Sequence, residues 1–251
     1  MNPRTTTVVW VRKAADRLEA LNARHPWNHN EHFHGWVLRR LPRGSRLVLD
    51  VGCGAGALLA ELRAHLGPSG EIHGIDVDTT MARTAAARFA ADPVVAVRHL
   101  AFDDVRSPGD VRSSEGLRAA AATGSPDTGR YDAVTMVAVL HHLDLTPALA
   151  HAKELLAPGG RLLVVGLARV GSPADVAVDV VSALLNPLVG LVKHPRRARP
   201  DDPGVDAPGM PVREPRHSFG DVIRAAREVL PGARGRRRLF FRYTLEWTRP
   251  R

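Results

Sequence analysis

The sequence predicts an α/β fold with a doubly wound, mainly parallel sheet. Short apolar runs that read as buried strands alternate with helical segments through the middle of the chain. Such alternation, with right-handed crossovers, places helices on both faces of a parallel sheet and ligands at the strand C-terminal ends. The clearest run, Leu47-Val48-Leu49-Asp50-Val51, passes straight into Gly52-Cys53-Gly54-Ala55-Gly56. Glycines there remove the side chains that would hold a ligand away from the backbone. At 251 residues and 44% hydrophobic content, the chain can bury one sizeable core without a second.

Ahead of the core, amphipathic spacing predicts helices over Val8–Asn22 and Asn30–Leu41, with Asn28 or Asn30 as a cap for the second. The first strand is Leu47–Val51, and Ala57–Leu66 follows as a helix whose N-terminus offers free N–H groups to a ligand. Glu71–Asp76 reads as the next strand and Val94–Phe102 as the one after it, running into Asp103-Asp104. Ser107–Arg130 is rich in Ser, Gly and Ala and reads as a surface insertion holding a short helix at Glu115–Ala122. Two more apolar runs start at Tyr131 and Leu156, the first leading to Leu140-His141-His142 and the second ending at Gly166. About fifty residues then precede a helix near Ser218, a length typical of functional lids. Within them Ala174–Val192 is helical, whereas Pro195–Pro215 is too rich in Pro, Arg, Asp and Gly for fixed structure. Strands at Arg234–Phe240 and Arg242–Thr248, joined by a very short turn, close the chain.

The glycine loop marks a nucleotide or nucleoside site but leaves the ligand open, since Gly52-Cys53-Gly54-Ala55-Gly56-Ala57 also satisfies the G-x-G-x-x-A dinucleotide fingerprint. Asp76 lies about 20 residues further on, where a carboxylate can grip two ribose hydroxyls, and this too fits both ligands. Asp50 inside the strand end separates them, together with three later segments: Tyr131–Leu143, Leu156–Gly166 with its Pro158-Gly159-Gly160 turn, and the aromatic end Arg242–Trp247. On these motifs, in this order from Leu47 to Gly166 and more loosely through the last strand, the chain resembles the class I S-adenosylmethionine-dependent methyltransferases of Rossmann-like fold and small-molecule type.

The resemblance implies seven strands, the last antiparallel, in one domain of four parts: a helical lid at 1–44, a cofactor-binding core at 45–168, a lid insertion at 169–217, and a terminal helix with a strand pair at 218–251. It implies S-adenosyl-L-methionine as cofactor. Gly52, Gly54 and Gly56 would lie under the methionine part, with Cys53 packed among them and Asp50 ordering polar contacts beside it. Asp76 would hold the ribose, with Val77 next to it. Asp103 or Asp104 would accept from the adenine amino group, and Val137 and Ala138 would line the methionine side. His141 would face the transferred methyl as a candidate general base, with His142 toward the acceptor. His29, His32 and His34, from the histidine-rich stretch His25–His34, would reach the acceptor from the lid.

Composition bounds the alternatives. The net charge of +9 is concentrated in residues 193–251, where 15 Lys and Arg oppose 7 Asp and Glu to give +8. This asymmetry invites an RNA or DNA methyltransferase using the basic C-terminal region. Against it, aromatic residues make up only 5% of the chain and do not interleave with basic ones, and Arg236-Arg237-Arg238 reads as the solvated face of an edge strand. A protein that keeps the cofactor fold without methyl transfer is the other alternative. One cysteine excludes an internal disulfide and a cysteine-rich metal site, the histidine stretch lacks the partners that complete a zinc site, and no export signal is visible, so a cytoplasmic enzyme without metal is expected. Asp175, Asp179, Asn186 and Pro187 argue against a transmembrane helix at Ala174–Val192. Its stripe of Val176, Val180, Val181, Leu184, Leu185 and Leu188 is expected to pack on the core, or to serve a substrate pocket or dimer face. The expected acceptor is a small molecule or peptide, in bacterial specialised metabolism, with O, N and C acceptors all open.

Overall fold

A computed structural model of the chain describes residues 27–112, 129–193 and 214–251. The helices expected at Val8–Asn22 and Glu115–Ala122 and most of Pro195–Pro215 lie outside these residues. The chain divides into two compact units, one holding the sheet and one built on a long helix.

The larger unit carries seven strands: β1 (Leu47–Val51), β2 (Glu71–Asp76), β3 (Val95–His99), β4 (Tyr131–Val137), β5 (Leu156–Gly166), β6 (Arg234–Arg237) and β7 (Tyr243–Thr248). They lie in the order β3-β2-β1-β4-β5-β7-β6. The first five are parallel, whereas β7 runs antiparallel to β5 and β6 antiparallel to β7. The central strands β1, β4 and β5 are largely apolar on both sides because both faces are covered. Leu49, Val134, Met136, Leu162 and Val164 face one core, shared with helices α4 (Leu145–Leu155) and α6 (Phe219–Val229). Their neighbours Val48, Ala133, Leu163 and Val165 face the other, shared with α1 (His34–Leu38) and α2 (Ala57–Leu66). Helix α3 (Thr79–Arg88) connects β2 to β3. Chain order reverses between β1 and β4, so a crevice opens at their C-terminal ends, where such sheets bind ligands.

The helix ahead of β1, its cap and strand β6 differ from the sequence expectation. The helix at Asn30–Leu41 is a 3-10 turn at Glu31–Phe33 running into the short α1. Pro42 follows closely and disfavours helix in the residue before it. Asn30 does not cap this segment, because its Oδ1 accepts from the Arg242 guanidinium at 2.9 and 3.2 Å. Strand β6 ends at Arg237, not Phe240, since Phe240 and Phe241 have φ of 60° and 61° and cannot continue an extended chain. Along β6, Arg234 and Arg236 are exposed at the sheet edge, as alternation demands.

In the smaller unit the described residues are 27–29, 170–193 and 238–241, and the dominant element is helix α5 (Pro173–Lys193). Its burial reverses the expected orientation. Asp175, Ser182, Asn186 and Gly190 are buried, while Val176, Val180, Leu184 and Leu188 face outward. Hydrogen bonds explain the inversion. Ser182 Oγ donates to Val178 O at 2.7 Å and accepts from the Phe240 N–H at 2.8 Å. Asn186 Oδ1 accepts from Trp27 Nε1 and pairs with His29 Nε2, both at 2.8 Å. Asp175 Oδ2 accepts from the Gly171 N–H at 3.0 Å. A polar seam satisfied in this way can be buried without the desolvation cost that unpaired groups would carry.

Candidate active site

Three glycines after β1 shape the floor of the crevice. Gly52, Gly54 and Gly56 have φ of 68°, 53° and 81°, in the left-handed region that favours glycine. The loop is stitched to β2, with the Gly52 and Cys53 N–H groups both donating to Ile75 O at 2.8 and 3.0 Å. A Cβ on Gly52 would lie 2.1 Å from Val139 Cγ2, which sets how closely the loops after β1 and β4 approach. A Cβ on Gly54 would meet nothing within 4 Å. This is the cradle a ligand needs: backbone bordered by open space, and space that a side chain would fill. Gly56 is the N-cap of α2, whose first turn has free N–H groups beside that space.

Asp76 at the end of β2 is held by two backbone donors. Its Oδ2 accepts from the Gly54 N–H and its Oδ1 from the Asp78 N–H, both at 2.8 Å. Each carboxylate oxygen keeps a further lone pair, so the group can still accept from two hydroxyls. Val77 follows with its apolar side chain 70% exposed, able to cover the face of a ring. Asp103 and Asp104, on the 3-10 turn after β3, are both exposed, so either can meet an amino group.

Asp50 is buried on β1, where its Oδ1 accepts from Thr135 Oγ1 at 2.7 Å. Burial pushes its carboxyl up to about 7, against the lowering influence of the Thr135 hydrogen bond, and the charge of Asp76 raises it further. A cation beside Asp50 would restore its charged form. Cys53 is a buried free thiol, pushed well above its ordinary range by burial and then by the charges of Asp50 and Asp76, so it packs as a small apolar group.

The β4 end supplies the other wall. Val137 and Ala138 are half-buried, and Ala138 takes a positive φ of 57° while its N–H donates to Val165 O at 2.7 Å. That left-handed step turns the chain into the Leu140–His142 turn. His141 is half-buried, its ring centroid 4.0 Å from that of His142. Its Nδ1 is buried with no hydrogen-bond partner among the described residues. Burial, followed by the charges of His142 and Arg242, holds its imidazole down to about 4, so the ring is neutral at physiological pH. His142 is exposed and is also lowered by desolvation.

The lid histidines meet different partners within their own units. His34 is only 3% exposed, and its Nδ1 pairs with Glu61 at 2.8 Å on α2, so the expectation that it contacts an acceptor is corrected: the ring is a packing element of α1. His32 is exposed, its ring edge-on to Phe33. His29 belongs to the smaller unit, bound to Asn186 and 6.2 Å from the Phe240 ring. No group of three or more His, Cys, Asp or Glu that could hold a metal occurs among the described residues. Three residues escaped the sequence reading. Thr135 had a visible signal, as the one aliphatic hydroxyl within a largely apolar strand, whereas Val139 and Arg242 acquire their roles only through long-range contacts.

Residues 49–162 match the model of a methyltransferase domain family. An uncharacterized methyltransferase of Mycobacterium tuberculosis is 28% identical over 232 residues, covering 90% of this chain and 98% of that protein. A ubiquinone biosynthesis O-methyltransferase of Xanthomonas oryzae is 35% identical over 149 residues, which are 59% of this chain and 53% of the relative, about half its length. Among solved structures, a SAM-dependent methyltransferase of Aquifex aeolicus superposes with a TM-score of 0.54 at 18% identity, over 93% of this chain and 97% of that one, a likeness of fold. The glycine cradle and the carboxylate at the end of β2 agree with the methyltransferase-domain match over residues 49–162, and together with the fold they indicate an S-adenosylmethionine-dependent methyltransferase of class I architecture.

Proposed function

We propose that this enzyme methylates a small-molecule or peptide acceptor by in-line displacement, with His141 beside the transferred methyl, in bacterial specialised metabolism. The observation that carries the reading is the pairing of an open cradle over Gly54 with a neutral imidazole whose buried Nδ1 has no hydrogen-bond partner among the described residues, both at the β1–β4 crevice. S-adenosylmethionine, when bound, supplies a methyl already activated on a sulfonium. Asp76 would accept from its ribose hydroxyls, Val77 would lie against the adenine, and Asp103 or Asp104 would accept from the adenine amino group. Gly52, Gly54, Gly56, Cys53, Val137 and Ala138 would line the methionine portion, and a charged Asp50 would face its ammonium.

Little acid–base work is required of the chain. Its main contribution is to hold nucleophile and methyl in line and to exclude water. A phenol or alcohol acceptor would hand its proton to His141, which is unprotonated above about pH 5; the same burial makes the ring a weak base, so this role rests on its position and not on its basicity. A carboxylate acceptor would need no base. The ubiquinone-pathway O-methyltransferase among the relatives supports a small acceptor, and the free, buried Cys53 is at home in a reducing cytoplasm.

The test is S-adenosylhomocysteine release from S-adenosylmethionine with a panel of phenols, alcohols, amines, carboxylates, peptides and RNA. Turnover with one small-molecule or peptide class, slowed by His141→Ala only for acceptors that carry a proton, is expected. Turnover on RNA alone, falling steeply with salt, would overturn the reading.

A further inference from the structure

Thr135 is fully buried on β4, and its hydroxyl stands between two acceptors. Its Oγ1 lies 2.7 Å from Asp50 Oδ1 and 3.2 Å from Leu49 O, across the β1–β4 pairing in which Asp50 and Thr135 are in register. A hydroxyl has one proton to give and two lone pairs that accept. It therefore meets both forms of Asp50. Toward a carboxylate, Thr135 donates to Oδ1. Toward a carboxylic acid, it accepts the Asp50 proton and donates its own to Leu49 O, so neither arrangement leaves a buried donor unpaired.

The surroundings of Asp50 make that choice matter. The residue is 2% exposed, and among the described residues Thr135 is its only side-chain hydrogen-bond donor and no cation forms an ion pair with it. The titratable groups that face it are Asp76 at the end of β2 and the Cys53 thiol of the glycine loop, one an anion and the other neutral. Burial beside an anion favours the acid form, and an arriving cation favours the carboxylate.

We infer that Thr135 is a positioning residue for cofactor capture: its hydroxyl turns from Leu49 O to Asp50 Oδ1 as Asp50 gives its proton to solvent and meets the ammonium of the methionine portion. The inference rests on the proposed placement of that ammonium at Asp50. Cofactor affinity then depends on pH. Below about pH 7, where burial keeps Asp50 protonated, binding must release a proton and weakens as pH falls; above it Asp50 is already charged and the dependence ends. Thr135→Val keeps the branched shape and removes the hydroxyl. A hydrogen bond to a charged acceptor is about twice as strong as one to a neutral group, so this loss penalises the carboxylate more than the acid.

The full-length protein would be titrated with S-adenosylhomocysteine by calorimetry from about pH 5.5 to about pH 8.5, in two buffers of different protonation enthalpy, which counts the protons released. Expected for the wild type is an affinity that falls about tenfold per pH unit below about pH 7 and levels off above it, with close to one proton released at the acid end. Thr135→Val should keep the alkaline plateau and move the bend upward by about one pH unit, which weakens binding at pH 7 about fivefold. Thr135→Ser should restore the wild-type profile. Asp50→Asn, which cannot ionise, should lose both the bend and the released proton. If Thr135→Val fails to fold, Thr135→Ala replaces it with the same expectation. An affinity independent of pH with no proton released, or a loss in Thr135→Val that is equal at every pH, overturns the inference and leaves the cofactor site standing. Absence of S-adenosylhomocysteine binding by the wild type at every pH overturns the placement of the cofactor itself, and this inference with it.

Discussion

Asp76 is the residue on which cofactor affinity is expected to turn. Its carboxylate is pinned by the Gly54 and Asp78 N–H groups, so it meets a ribose without reorganising. Asp76→Ala should weaken S-adenosylhomocysteine binding by about 2 kcal/mol, roughly thirtyfold, through loss of charge-assisted hydrogen bonds. Calorimetric titration measures this, with NAD as the control ligand. Gly54→Val should abolish binding, because the side chain would occupy the open space and would strain a φ of 53°. For Asp50 the folded-state pKa of about 7 lies above its unfolded value near 3.8. A raised carboxyl favours folding below the unfolded value, and that advantage is lost as pH rises from about 4 through 7. Asp50→Asn, which keeps an acceptor for Thr135, should therefore flatten the pH dependence of the apo protein's melting temperature across that window. A variant with the wild-type slope would remove Asp50 from the explanation. His141, held down to about 4, is neutral from pH 6 to 9, so its titration should add no acid limb to the methyl-transfer profile in that range. His141→Ala should leave S-adenosylhomocysteine binding unchanged.

Among the elements, α3 shows how a cap and a site can share one residue. Asp78 Oδ1 accepts from the Thr80 and Met81 N–H groups at 2.8 and 3.0 Å, while the Asp78 N–H holds Asp76. Asp78→Ala should cost about 1 kcal/mol of stability, the ordinary worth of an N-cap, read as a lower urea midpoint. The strands and most core helices were legible because their sequence periods are local. Leu47–Val51 and Glu71–Asp76 are found where the apolar runs put them. Helix α5 was legible as a helix and misleading in its orientation. A hydrophobic stripe normally points inward, but Ser182 and Asn186 found partners in Phe240, Trp27 and His29, at least 58 residues away in sequence. The early end of β6 was equally hidden, since two consecutive phenylalanines give no local sign of left-handed backbone.

For the whole molecule, ligand binding and folding are linked. S-adenosylhomocysteine at a hundred times its dissociation constant should stabilise the enzyme by about 2.7 kcal/mol. For a chain of this size that is a rise of about 5–10 °C in melting temperature, and NAD should give none. Loss of the shift in Asp76→Ala would tie it to the proposed site. The sequence by itself determined the doubly wound fold and the position of the glycine cradle, which follow from periodicities and spacings a few residues long that the backbone reads directly, whereas the class of cofactor followed from the family resemblance that its motifs carry. Only the tertiary structure decided that Thr135 meets Asp50, that His34 is committed to Glu61, that Asn30 serves Arg242, and that α5 turns its polar seam inward. These pairings join residues far apart in the chain. Their physical cause, the satisfaction of particular buried donors and acceptors, exists only once the chain has folded.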